Sequence, residues 1–267
     1  MKMRRIAAIM LRQIYLLRGS PTRVLPLFAW IAIDVMLWGF ITRYLNAIAS
    51  PGFDFVPAML GAVLLWDFLS RVMQGVTMAF FEDVWSRNLL AIFASPLSRA
   101  EYVTGLVFTG ICTSLLGLGV MIALASFAFG LSFLSYGITI VPGLMVLFIF
   151  GVALGVAGSA MVLRLGPAAE WLIWPLPAVL SPFASVFYPV ASLPVWMQPL
   201  AYALPPSYVF ESLRAITQGG QAHGSALAIA LSLSLVYLVA AAGYFVHVHG
   251  VCVRNGLIAR YSAESVS

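Results

Sequence analysis

Three ionisable residues interrupt runs that are otherwise apolar: Asp34, and Asp67 with Arg71 four residues on. An i, i+4 pair shares one helix face, so Asp67 and Arg71 are placed to pair. An ionised group in hydrocarbon costs at least about 2.5 kcal/mol, so such groups turn toward protein or a water-filled cavity. Two kinds of chemistry follow. They line or gate a polar path through the membrane, or they form a structural ion pair that locks two helices. Catalytic and metal chemistry have less to stand on. His247 and His249 are two apart and share no helix face, and His223 lies in a loop. No Cys or carboxylate stands at metal-ligand spacing from them. No Gly-x-Ser-x-Gly elbow presents a nucleophile.

A second group of charges lies between two apolar runs. Residues 81–101 read Phe-Glu-Asp-Val-Trp-Ser-Arg-Asn-Leu-Leu-Ala-Ile-Phe-Ala-Ser-Pro-Leu-Ser-Arg-Ala-Glu. They hold five of the 23 formal charges, and so much charge in so short a stretch marks an aqueous loop. Trp85, Leu89, Ile92 and Phe93 follow i, i+4, i+7, i+8 spacing, which predicts one helix with a single apolar face. Asp83 and Arg87 are spaced to pair along it, beside Glu82. Pro96 disfavours helical geometry at Ser95 and stops the helix there. Ser98 and Glu101 match the S-x-x-E capping box that starts the next helix. The expectation is a helix over 82–95, a break, and a new helix. On these residues alone, it either floats on lipid headgroups or docks on a partner.

The elements that position these groups are set by composition. The chain is 62% hydrophobic and 9% charged, with a mean hydropathy of +1.01. A soluble domain carries about 25% charged residues. Lipid is therefore the main solvent, and roughly 20 apolar residues per helix cross it. The apolar runs are continuous, without the alternation of a membrane β-barrel. The sequence thus predicts an all-α polytopic membrane protein. One domain fills residues 1–267, with six transmembrane helices near 24–45, 56–80, 102–129, 138–163, 168–187 and 225–249.

Of 14 basic residues, 11 fall on one side of this layout and Arg43 and Arg214 on the other, with Arg71 inside a span. The positive-inside rule then puts both termini in the cytoplasm. The same topology accounts for the high isoelectric point without nucleic acid. Cys112 and Cys252 read as free thiols in a reducing compartment. Arg12 and Gln13 interrupt any signal-peptide core. Met3, Ile6, Met10, Ile14 and Leu17 form a stripe, with Arg4, Arg5, Arg12 and Arg18 on the other side. This describes an amphipathic helix over residues 1–20 lying on the inner membrane surface.

Gly151, Gly155 and Gly158 make a small-residue face suited to close helix packing. Residues 167–206 hold nine of the 15 prolines. Pro175 and Pro177 predict a kinked fifth span. Residues 188–218 are too apolar for an aqueous loop and too broken for a span, which suits short re-entrant helices. Tyr188, Trp196, Tyr202 and Tyr208 suit an interfacial belt. Glu211 and Arg214 are spaced to pair near the outer surface.

The run from Glu82 to Glu101, with Tyr102 and Gly105 after it, resembles the cytoplasmic coupling helix of ABC-2 type transporter permeases. The stretch Phe187, Tyr188, Pro189, Leu193, Pro194, Trp196, Gln198, then Pro205, Tyr208, Glu211 and Arg214, is similar to that family's outer re-entrant segment. The six-span layout and N-terminal surface helix match as well. One departure is Ser86-Arg87-Asn88, where many relatives carry Gly-Thr. The resemblance implies a half-transporter: an inner-membrane export permease pairing with a second copy or a paralogue and with ATP-binding subunits. It implies that Glu82, Asp83, Trp85, Arg87, Leu89, Ile92 and Phe93 touch the ATPase. No Gly-x-x-x-x-Gly-Lys-Ser/Thr loop is present and the single lysine is Lys2, so ATP and Mg are expected on the partner chain. The alternative reading is a stand-alone channel or proton-coupled carrier built on Asp34, Asp67 and Arg71.

Overall fold

The computed structural model describes residues 3–19, 21–48, 56–86, 88–138, 140–221 and 224–257. Among these residues the regular structure is helical, without strands. Five helices are long and apolar enough to cross a membrane. They are α2 (Pro21–Ile48), α3 (Gly61–Trp85, preceded by a π-turn at Val56–Leu60), α5 (Arg99–Phe129), α6 (Ile140–Leu165) and α11 (Gly224–Arg254). Shorter elements join them: α1 (Met3–Arg18), α4 (Leu89–Ala94), α7 (Glu170–Ile173), α8 (Leu176–Leu180), α9 (Gln198–Ala203) and α10 (Pro205–Thr217).

The long helices pack in a row, α2–α5–α3–α6–α11. Burial follows that order. The central α3 and α6 bury more than half of their apolar windows, and the flanking α2 and α11 bury 22%. In lipid the flanks need no protein cover, because acyl chains solvate Leu and Val as well as a core does.

The centre is held by close backbone approach. A Cβ on Gly155 would lie 2.8 Å from the Met73 carbonyl oxygen, and one on Gly151 2.9 Å from Val72. The small-residue face of α6 is therefore spent on α3, inside this chain. Thr77 lies on the same seam and donates to the carbonyls of Met73 (2.9 Å) and Gly155 (3.2 Å). On its other side, α3 meets α5 at Gly75 and Gly110, where an added Cβ would lie 3.1 Å from the opposing Cα.

The expected fifth span over 168–187 is not one helix. Pro175 and Pro177 remove amide donors, and the segment divides into a 3-10 turn (Pro167–Ala169), α7 and α8. Residues 69–77 of α3 pair in ascending order with 151–158 of α6, so those helices run parallel. α6 and α11 are parallel too, through Phe150 against Tyr237 and Cys252 against Leu163. Parallel neighbours place the end of α6 and the start of α11 at opposite ends of the bundle, and the described residues 166–221 run between them. The end of the bundle carrying α1, Trp85 and Ser98 is called basal below, and the opposite end distal.

The N-terminal helix packs on α5 through Ile6, Ile9 and Gln13, which are buried. Met3 and Ile14 of the apolar stripe are exposed beside Leu11 and Tyr15. Arg5 and Arg12, expected opposite the stripe, turn inward to buried acids.

Candidate functional site

At the basal end α3 runs on through Glu82, Asp83 and Trp85, so these residues end the second long helix instead of starting a separate one. The predicted helix over 82–95 is corrected to two elements with a break at Ser86–Asn88. Polar side chains make the break. The Ser86 hydroxyl donates to the Glu82 carbonyl (2.6 Å), the Asn88 amide side chain to the Ser86 hydroxyl (3.0 Å), and the Asn88 backbone N–H to the Asp83 carbonyl (3.1 Å). Ser and Asn compete in this way with the regular ladder. Trp85, Leu89, Ile92 and Phe93 therefore do not share one helix face.

The six-residue α4 that follows stops at Ser95, whose backbone is extended ahead of Pro96. Ser98 then caps α5 in full. Its hydroxyl accepts from the Glu101 N–H (3.2 Å), and Glu101 Oε2 accepts from the Ser98 N–H (3.0 Å). Trp85 is half exposed and lies against Phe81, Ile92 is half-buried against the main core, and Ala91 and Ala94 face outward. Arg87 and the side chains of Leu89 and Phe93 lie outside the described residues.

The acids that frame α4 are buried and paired with α1. Asp83 is 0% exposed and forms an ion pair with Arg12, while its expected partner Arg87 lies outside the described residues. The Tyr102 hydroxyl donates to the other Asp83 oxygen at 2.7 Å. Burial works against the Arg12 charge, but Asp83 outweighs it and holds the guanidinium above its ordinary pKa. Glu101, 3% exposed, takes Arg5 at 3.2 Å on the same Oε2 that closes the capping box. A groove of about 470 Å³ opens between α1 and α4, lined by Arg5, Ile9, Arg12, Ala91, Ile92 and Pro96 among others. Arg5, Arg12 and Tyr102 were not singled out for pairing from the sequence. The available signal was their place at one end of the layout, opposite two acids in a loop.

The intramembrane charges do meet. Arg71 pairs with Asp67 at 3.5 Å, and Asp34 of α2 lies within electrostatic reach of Arg71. Arg71 also lies along α5, where a Cβ on Gly117 would stand 3.3 Å from its Cδ. The three charges thus mark the junction of α2, α3 and α5. Asp67 and Arg71 are 22% and 15% exposed, so the cluster is partly open. No group of three or more His, Cys, Asp or Glu suits a metal ion among the described residues.

At the distal end, Val190–Ser192, α9 and α10 form short helical pieces over 188–218. Glu211 and Arg214 pair at 3.1 Å and also hold the preceding loop. Glu211 accepts from the Val190 N–H (2.7 Å), and Arg214 donates to the carbonyls of Ser185 (2.9 Å) and Val186 (3.3 Å). Ser185 is buried with φ 53°, a left-handed conformation that costs a non-glycine residue about 1 kcal/mol. The Tyr188 hydroxyl donates to Pro182 and the Tyr208 hydroxyl to Tyr202, and burial raises both phenols above their ordinary pKa. Trp196 is 68% exposed beyond Pro194. Tyr188 and Met197 close a small core of Val190, Leu193 and Ala201 below Pro189.

Comparison with curated proteins gives no match. The model of the ABC-2 type transporter family matches residues 6–217, from the first turn of α1 through the last residue of α10. A match that takes in both the α4 break and the distal loop covers most of the molecule. The chain therefore belongs to the ABC-2 type transporter family and is the permease component of an ABC transporter.

Proposed function

We propose that this permease is the membrane half of an ATP-driven exporter in the inner membrane, with both termini in the cytoplasm. It moves a lipid, glycan or drug-like cargo outward. A second permease copy completes the path, and separate ATP-binding subunits hold ATP and Mg. The observation that carries this reading is α4: a short helix with outward-facing Ala91 and Ala94, framed by buried acids and set between the ends of two long helices. A partner seated there moves α3 and α5 together. Force then reaches α6 through the glycine seam and α2 through the Asp34, Asp67 and Arg71 junction, so that spans one, two and five rearrange. Nucleotide does work only if the two states differ in their contacts with the partner. The distal segment, residues 188–218 with Trp196 exposed on it, is the outer re-entrant element.

The test is purification of the tagged chain from its own membranes. An ATP-binding subunit is expected to accompany it and to give vanadate-sensitive hydrolysis. A chain that purifies alone and carries protons down a pH gradient in proteoliposomes would replace this reading with the carrier reading.

A further inference from the structure

The basal clasp has an arrangement that neither the family match nor the export reading requires. Two cations seven residues apart on α1 reach two acids that bracket α4 from opposite sides. Arg12 takes Asp83 at the end of α3, and Arg5 takes Glu101 at the start of α5. Tyr102 bridges the two sides, since it follows Glu101 in the chain and donates to Asp83. Both acids are at most 3% exposed, so neither is free to re-solvate while its arginine stays in place. The chain between them, with α4 at its middle, has its two ends tied to the same third helix.

We propose that Arg12 and Tyr102 are positioning residues for energy coupling: through Asp83 they fix the angle at which α4 leaves α3, and they make α1 part of the unit that moves. This rests on the reading of α4 as the ATPase contact. Without the clasp, α4 is held by Ile92 against the core and by the Ser86–Asn88 break, whose two side-chain hydrogen bonds are local and exposed. A push on α4 would then be absorbed by bending at the break. With the clasp, the push passes to α3, α5 and α1 together.

The test uses the full chain with Cys112 and Cys252 replaced and spin labels at the exposed Ala7 and Ala94. A single narrow distance distribution is expected for the parent and for Arg12→Lys. Arg12→Met and Tyr102→Phe are expected to broaden it. In the assembled complex these two variants lower kcat for ATP per complex about fivefold, the size of change typical for residues that carry coupling, and leave KM for ATP unchanged, because the nucleotide site is on the partner. A purely structural role would reduce the yield of folded complex and leave kcat per complex alone. If Arg12→Met does not fold, Tyr102→Phe, which deletes one hydroxyl, carries the test. Unchanged distance widths, or unchanged kcat per complex, would overturn the proposal. Failure of the parent chain to bind any ATP-binding subunit would instead remove the export reading, and the distance measurement would still decide whether the clasp holds α4.

Discussion

The basal and distal ends of the bundle each join acid to arginine, yet the two ties connect different things. At the distal end the tie is local. Glu211 and Arg214 sit one turn apart on α10, and together they hold the loop from Ser185 to Val190. At the basal end the partners are 71 and 96 residues apart, and they bind α1 to both sides of the α4 hairpin. A local tie shapes one segment. A long-range tie makes separate segments move as one. The first suits an element that must keep a fixed shape, and the second suits one that must transmit a displacement.

Substitutions at the two ties should separate these roles. The largest effect is expected from Arg12→Met, which leaves the Asp83 carboxylate buried with only Tyr102. Removing one partner of a buried pair costs about 3 kcal/mol. Denaturation in detergent should show that loss, and Arg12→Met combined with Asp83→Leu should recover most of it, since no lone charge then remains. Arg214→Met comes next. It strands the Ser185 and Val186 carbonyls at a cost of about 2 kcal/mol. Hydrogen exchange should rise over residues 183–191 and stay unchanged at the basal end. A rise at both ends would erase the distinction between a local and a long-range tie.

Ser185→Val probes the turn that Arg214 holds. A β-branched residue at positive φ is expected to cost about 1.5 kcal/mol, whereas Ser185→Gly should stay within about 0.5 kcal/mol of the parent. Thermal unfolding of the two variants side by side checks the sign. Trp196→Ala should be the mildest change, within about 0.5 kcal/mol, because the ring is mostly exposed and outside either tie. A larger loss would show that Trp196 is covered in the assembled transporter.

Legibility in the sequence followed the same division between local and distant. The Ser98–Glu101 capping box, the Glu211–Arg214 and Asp67–Arg71 pairs and the proline-broken segment after α6 all rest on neighbours within one turn. Each was readable from spacing. The Arg12 partner of Asp83 was not readable for the complementary reason, since it reaches the carboxylate from another helix, 71 residues away. Periodicity along α1 grouped its apolar residues, but hydropathy alone does not register that Arg5 and Arg12 have buried acids to meet. The apolar spacing over Trp85–Phe93 suggested one helix for a similar reason. It ignored the preference of Ser86 and Asn88 to bond to nearby backbone. Five of the six expected spans were legible as long apolar helices, and the segment expected as the fifth is the one that prolines divide.

The central claim is that energy enters this chain at α4. Single cysteines at Trp85, at Ala94 and, for contrast, at the distal Trp196 test it in native membranes with a short bifunctional maleimide. Covalent linkage to an ATP-binding subunit from Trp85 and Ala94 but not from Trp196 is the predicted result. Absence of linkage at both basal positions, with the subunit present in the same membranes, would contradict the account.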